Sequence, residues 1–228
     1  MSRTLNVVRM QLVNRQTYIW IPLLILAGSF LLSLAVYALI PTDEPKYGGG
    51  AQAPLWYFLA VGVQALTLSF PFSQAMSVSR REFYLGTLLT AALTSTILAA
   101  IFVVGGFIES ATNGWGMNGW FFRLDWVWES GPLGAALFYF VSAMLFFVTG
   151  FWAATIYKRW GGLWLTVVLV GLGALFVLAL FVVGRLEAWV QVFTWFATQG
   201  AVGLALWGIV VIAALAAIAF GTLRRAVP

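Results

Sequence analysis

LWLTVVLVGLGALFVLALFVV, residues 163–183, contains no charged side chain and no alternation of polar and apolar faces. A run of about 20 apolar residues is long enough to cross a ~30 Å hydrocarbon core as a helix. Five further runs read the same way, so the spans are placed at about Tyr18–Ile40, Leu55–Met76, Tyr84–Phe107, Leu133–Ile156, Leu163–Val183 and Gly200–Thr222. The chain has 228 residues, of which 62% are hydrophobic and 8% charged, with a mean hydropathy of +0.97. The expected fold is an all-α integral membrane protein of six transmembrane helices, forming one transmembrane domain over residues 1–228. The first run is longer than the apolar region of a signal peptide and no small-residue cleavage site follows it, so it is expected to remain as an anchor.

None of the 12 Lys and Arg or 7 Asp and Glu residues falls in the middle of a run. A charge at mid-bilayer costs at least ~3 kcal/mol and usually marks a proton relay, ion site or voltage sensor, so the pattern argues against these classes. The count of Cys and of His is 0, which removes thiol nucleophiles, disulfides, imidazole bases and the usual zinc or haem ligands; no metal site is expected. The formal charge of +5 is dispersed at span ends, where topology explains it without a nucleic-acid partner.

Short cytoplasmic loops retain Lys and Arg. Arg3, Arg9, Arg15, Arg80, Arg81, Lys158, Arg159, Arg224 and Arg225 fall on one side of the six spans, and Lys46, Arg123 and Arg185 on the other. Both termini are therefore expected in the cytoplasm. Of the acids, Glu82 alone is inside, while Asp43, Glu44, Glu109, Asp125, Glu129 and Glu187 are outside.

Outside the spans the clearest pattern is Leu186–Gln199. Leu186, Trp189, Val192, Phe193 and Phe196 share one helical arc and Glu187, Gln191, Thr194 and Thr198 the other, the signature of an amphipathic helix at the outer interface. Its role is open between an anchor for the last span and a gate or lid carried by Trp189, Phe193 and Phe196. A weaker stripe of Leu5, Val8 and Leu12, with Arg3, Arg9 and Arg15 beside it, predicts a cytoplasmic surface helix over residues 1–17 in contact with membrane lipids. The outer connection holding Trp115, Trp120, Phe121, Phe122, Trp126 and Trp128 reads as headgroup-level anchoring, with direct substrate contact as the alternative.

The connection between spans two and three has the most specific local chemistry. Pro71 is expected to kink or end span two. Ser79 followed by Glu82 is the spacing of a capping box that would open span three, leaving Arg80 and Arg81 at the surface. On residue chemistry alone this is a helix cap with two topogenic arginines.

The segment Ser79-Arg80-Arg81-Glu82-Phe83-Tyr84-Leu85-Gly86-Thr87-Leu88-Leu89 resembles the one after the second span of ABC-2-type transporter permeases, where an Arg-containing turn runs into a helix with an early glycine. The family's plan of a cytoplasmic surface helix, six spans and outer helices before the last span also matches nearly the whole chain. The resemblance implies a permease subunit in a bacterial cell membrane, exporting a hydrophobic or amphiphilic substrate. It implies that Ser77, Ser79, Arg80, Arg81, Glu82 and Phe83 dock on a separate ATP-binding-cassette ATPase, and that a second permease subunit, identical or related, completes a dimer. ATP and Mg2+ would sit on the ATPase, since this chain has no phosphate-binding loop, and it would do no chemistry itself. The long aromatic connection has no family counterpart.

Within the spans, Gln64, Thr67, Thr87, Thr90 and Thr94 are candidates to line a substrate path, although such groups more often bond a neighbouring turn or helix. Ala213, Ala217 and Gly221, and Gly171 with Gly173, are expected to permit close helix approach, either within the chain or between subunits. Two rivals stand beside the exporter. One is an integral-membrane enzyme on lipids or peptides, whose site would draw on Glu109, Arg123, Asp125, Glu129 and Glu187. The other is a non-transporting immunity or assembly factor.

Overall fold

The computed structural model describes residues 3–224. Met1 and Ser2 of the expected surface helix and Arg225 of the basic set lie outside the described residues. The helices are α1 (Arg3–Val13), α2 (Ile21–Leu39), α3 (Ala53–Gln64), α4 (Phe70–Ala75), α5 (Arg80–Ala111), α6 (Asp125–Trp128), α7 (Gly131–Trp160), α8 (Gly162–Arg185) and α9 (Trp189–Leu223). Two two-residue strands, β1 (Lys46–Tyr47) and β2 (Gly119–Trp120), pair in parallel. Six helical stretches are long and apolar enough to span a membrane: Gln16–Leu39, Gly49–Ala75, Arg80–Ala111, Gly131–Trp160, Gly162–Arg185 and Trp189–Leu223.

Two of these stretches are composite, for a shared reason. A proline ring clashes with the carbonyl four residues before it and leaves that carbonyl without a donor. Pro22 follows a wide turn over Gln16–Trp20 and Pro71 follows one over Ala65–Ser69, so each proline's clashing carbonyl, on Tyr18 or Thr67, lies in the widened segment. Such local expansion is a common relief for a helix. Pro71 therefore neither ends the second span nor stops it early; the helix continues to Ala75.

Helix α7 is the centre of the bundle, with α3, α5 and α9 packed on it. Its approach to α3 is set by two glycines facing each other. A Cβ at Gly62 would stand 2.1 Å from the carbonyl oxygen of Phe147, and one at Gly150 would stand 2.0 Å from that of Leu59. Only backbone fits there, and Phe58, Val61, Phe147 and Phe151 close the core around it. The other small residues singled out in the sequence make no such contact within the chain. Nothing stands within 4 Å of a Cβ built at Gly171, Gly173 or Gly221, and Ala213 and Ala217 are exposed. Small size makes a close contact possible, but the neighbouring helix decides which small residues are used.

Helix α8 is the outlier. In the most apolar windows of α5 and α7 44% of residues are buried, whereas in that of α8 the figure is 0%, so its whole length is left for lipid or another chain. At its far end the chain turns through Leu186–Ala188, with Glu187 at φ 50°, and starts a helix at Trp189. Gly200, at φ 58° and ψ −175°, splits α9 there, a conformation open essentially to glycine alone. The segment Trp189–Gln199 is thus a separate short helix ahead of the last span, three residues shorter than the expected Leu186–Gln199 because Leu186–Ala188 form the turn.

Helix α1 lies against α5 on a face that overlaps the expected stripe at Val8 and Leu12 but leaves Leu5 out. Val7, Val8 and Gln11 are buried, while Leu5 is 43% exposed. Fit selects the face: a Cβ at Gly86 of α5 would meet Val7 Cβ at 2.6 Å, and Gln11 Nε2 donates to Thr87 Oγ1 at 2.8 Å. Hydrophobicity alone would have turned Leu5 inward.

Candidate functional site

At the end of the bundle that carries Arg80, Arg81, Lys158, Arg159 and Arg224, the turn from α4 to α5 is rigidly built. Ser77 adopts φ 56°, its N–H donates to Gln74 O at 3.0 Å and the Val78 N–H to Ser73 O at 3.1 Å. These two bonds form a Schellman ending, which satisfies the last carbonyls of α4. Gln74 Nε2 adds a bond to Val78 O at 3.0 Å. The capping box opens α5 as expected: Ser79 N–H and Oγ donate to Glu82 Oε2 at 3.0 and 2.7 Å, and Glu82 N–H donates back to Ser79 Oγ at 3.2 Å.

The other candidates in this turn have distinct surroundings. Arg80 Nη1 donates to the carbonyls of Leu223 and Arg224, at 3.3 and 2.7 Å, so one guanidinium ties the start of α5 to the end of α9. Arg81 is exposed. Phe83 is fully buried and packs its ring on Phe70 at 5.1 Å; it anchors the turn from beneath and presents no surface. Arg80, Arg81 and Arg224 line a cleft of about 640 Å3 floored by Phe220.

The polar groups of the spans are mostly spent locally. Thr87, Thr90 and Thr94 are buried. Thr87 accepts from Gln11, Thr90 Oγ1 donates to Gly86 O, and Thr94 Oγ1 to Thr90 O and Ala91 O. Thr67 Oγ1 donates to Val63 O at 3.0 Å, and Gln64 is half-buried. The four threonines thus bond a neighbouring turn or helix, and Thr94 also borders a narrow cleft with Tyr18, Pro22 and Phe58. Trp189, Phe193 and Phe196 are 41%, 66% and 50% exposed, with Trp189 stacked on Phe193 at 6.1 Å.

At the opposite end the aromatic connection folds into a cap. Of its six large aromatic side chains, Phe121 and Phe122 are buried, Trp115, Trp120 and Trp128 are half-buried, and only Trp126 is exposed. Phe30 of α2 meets Trp115, Phe121 and Phe122 with ring centroids 5.0 to 5.3 Å away. Gly105 and Gly106 provide the seats: a Cβ on either would strike the Phe122 or Trp128 ring at 2.5 or 2.3 Å.

The organising group of the cap is Glu109, whose side chain is fully buried. Oε1 accepts Trp115 Nε1 at 2.9 Å and Phe121 N–H at 2.8 Å. Oε2 accepts the N–H groups of Phe122 and Arg123, both at 2.8 Å. Arg123 lies over the Trp128 and Trp120 rings, at 5.4 and 5.9 Å, and its Nη1 donates to Ser110 Oγ. Asn113, Gly114, Trp115 and Gly116 form a left-handed turn, which bends the chain back so that these donors converge. The first outer connection closes over this: β1 pairs with β2, Tyr37 Oη donates to Trp120 O at 3.2 Å, and Tyr47 Oη donates to Asp125 Oδ2 at 2.7 Å. That last bond pushes the Tyr47 phenol above its ordinary range, helped by burial and the negative charge of Asp125.

The acid at the hub was visible in the sequence only as an outer carboxylate. The signal for its role was the Gly105-Gly106 pair ahead of it and the Asn-Gly, Gly and Asn-Gly positions at 113–119, which favour left-handed backbone. Comparison of the chain with protein-family models, curated proteins and solved structures finds no match.

Proposed function

We propose that this chain is the membrane subunit of an ATP-driven exporter of the ABC-2 type, moving a hydrophobic or amphiphilic molecule and working with a separate ATPase. The observation that carries the reading is the construction of the Ser77–Phe83 turn. It is capped on both sides, bolted through Arg80 to the end of α9, and set beside the α1–α5 contact at Gly86. Force applied to such a turn reaches α1, α5 and α9 together, which is what a coupling element must do. Ser77, Ser79 and Arg81 are exposed for contact, while Arg80, Glu82 and Phe83 hold the shape.

Other features agree. The middle of the spans has no acid or base other than tyrosine to carry a coupling proton, so the drive would enter from the basic, cytoplasmic end. Helix α8 and the Ala213, Ala217 and Gly221 stripe of α9 are uncovered, surface that a second permease subunit would use. Against the enzyme reading, the Glu109 carboxylate is fully buried and already accepts four N–H groups.

The test is co-purification of an ATPase with the full chain from its native membrane. Arg81→Glu should reduce ATPase retention at least tenfold with unchanged membrane insertion, since Arg81 makes no hydrogen bond or ion pair among the described residues. An ATPase retained equally by this variant removes the coupling role, and none retained by the natural chain removes the exporter.

A further inference from the structure

The cleft at the basic end has a composition that the coupling role does not require. Among the described residues its lining is Arg80, Arg81, Arg224 and the Phe220 ring, which present three guanidinium groups and no carboxylate. The one acid of the neighbouring turn, Glu82, turns Oε2 to the Ser79 N–H and hydroxyl. Two of the five N–H donors of a guanidinium are spent by Arg80 on the end of α9; the rest make no hydrogen bond among the described residues. Arg224 rests over Phe220, 5.6 Å from the ring centroid, which holds its charge at the rim. Arg81 has no internal partner among the described residues.

What lies beside the cleft selects the ligand. Leu85 and Leu89 continue the ridge of α5 from Arg81 at four-residue spacing, 43% and 39% exposed, and on α9 the exposed Ala217 and Gly221 share the helix face of Arg224. Residues four apart lie on one helix face, so a cationic site stands at the foot of apolar, membrane-facing surface. A ligand that uses both halves needs a phosphate joined to hydrocarbon. Basic pockets between spans are a recurrent form of anionic headgroup site, and guanidinium matches phosphate in geometry as well as charge.

We propose that Arg80, Arg81 and Arg224 bind the phosphate of an anionic phospholipid whose chains run along α5 and α9. The bound lipid bridges the start of α5 and the end of α9, reinforcing the joint that Arg80 makes. This site belongs to the chain alone and does not rest on the exporter reading.

The test uses the purified full chain in detergent without any ATPase, titrated with dioctanoyl phosphatidylglycerol, dioctanoyl phosphatidylcholine or inorganic phosphate and read by native mass spectrometry. Phosphatidylglycerol should bind about tenfold more tightly than phosphatidylcholine, and equimolar inorganic phosphate should not displace it. The pair Arg81→Gln with Arg224→Gln should erase the preference, while Lys158→Gln with Arg159→Gln, at the same end but outside the cleft, should keep it. Arg224→Gln retains the backbone carbonyl that Arg80 needs. Arg81→Gln alone changes only an exposed side chain and should lower the preference about threefold, which covers any folding defect of the pair. An unchanged preference in both Arg81 variants, an equal loss in the Lys158 and Arg159 pair, or displacement by inorganic phosphate overturns the proposal, the last by marking a site for free anions.

Discussion

The carboxylate of Glu109 accepts the indole N–H of Trp115 at 2.9 Å, while the Trp115 backbone sits at φ 60° and ψ 26°. A bulky residue in the left-handed region costs on the order of 1–3 kcal/mol. Hydrogen bonds to a charged acceptor contribute about 1.5–3 kcal/mol each, so one such bond offsets the strain. The same carboxylate fixes three further N–H groups, which makes Glu109 the hub of the cap.

Replacing Glu109 should therefore open the cap. In Glu109→Gln an NH2 group faces donors where an oxygen accepted them, and buried N–H groups left unpaired cost about 1–3 kcal/mol each. A loss of about 3 kcal/mol is expected, with hydrogen exchange of the Phe121, Phe122 and Arg123 amides rising well before the spans unfold. Unchanged protection of those three amides would refute the hub.

The helix contact at Gly62 and Gly150 gives a paired prediction. Gly150→Ala places a methyl group 2.0 Å from Leu59 O, so α3 and α7 must separate, and overpacking of this kind typically costs about 1–3 kcal/mol. Gly171→Ala meets nothing within 4 Å and should be neutral or gain up to about 1 kcal/mol from helix propensity. Denaturant titration of the two variants in mixed micelles measures the contrast; equal midpoints would show that the two glycines are equivalent.

These two glycines also show what was legible in the sequence. The six spans follow from apolar length alone, and the Ser79–Glu82 box follows from local spacing, because each is decided by residues close together in the chain. Gly150 and Gly171 look alike in a linear reading, since what separates them is the backbone of another helix. The same holds for α1, whose inward face was chosen by Gly86 and Thr87 more than seventy positions away. Glu109 was hidden for a related reason. Its partners come from an irregular loop, where no period reports which way a side chain turns.

The bond from Tyr47 to Asp125 makes the closure of the two outer connections sensitive to alkali. The phenol is held above its ordinary value of about 10, because losing its proton would set a phenolate against a carboxylate. A raised value means that the folded state favours the protonated phenol. Its stabilisation is present in full below about pH 10 and disappears as the pH climbs through the folded-state value. Subtilisin cleavage within residues 41–54 should accelerate over that range in the natural chain, and in Tyr47→Phe should be fast already at neutral pH. A Tyr47→Phe protein as resistant as the natural one would show that the bond does not close the loop.

Docking of α1 rests on a polar pair whose two halves are unequal. Gln11 is buried, donates to Thr87 Oγ1 at 2.8 Å, and has no partner for Oε1. Thr87→Val would leave the whole amide unsatisfied beneath α1, at about 1–3 kcal/mol. Gln11→Leu should cost much less, because the Thr87 hydroxyl can turn to a carbonyl of its own helix and the leucine fills similar space. The double variant, with both partners apolar, should sit close to the natural chain. Hydrogen exchange over Arg3–Val13 measures the docking directly, with Thr87→Val most exposed and the double variant near natural protection. If Gln11→Leu frees α1 more than Thr87→Val does, the glutamine acts through its own packing and the pair is not the lock.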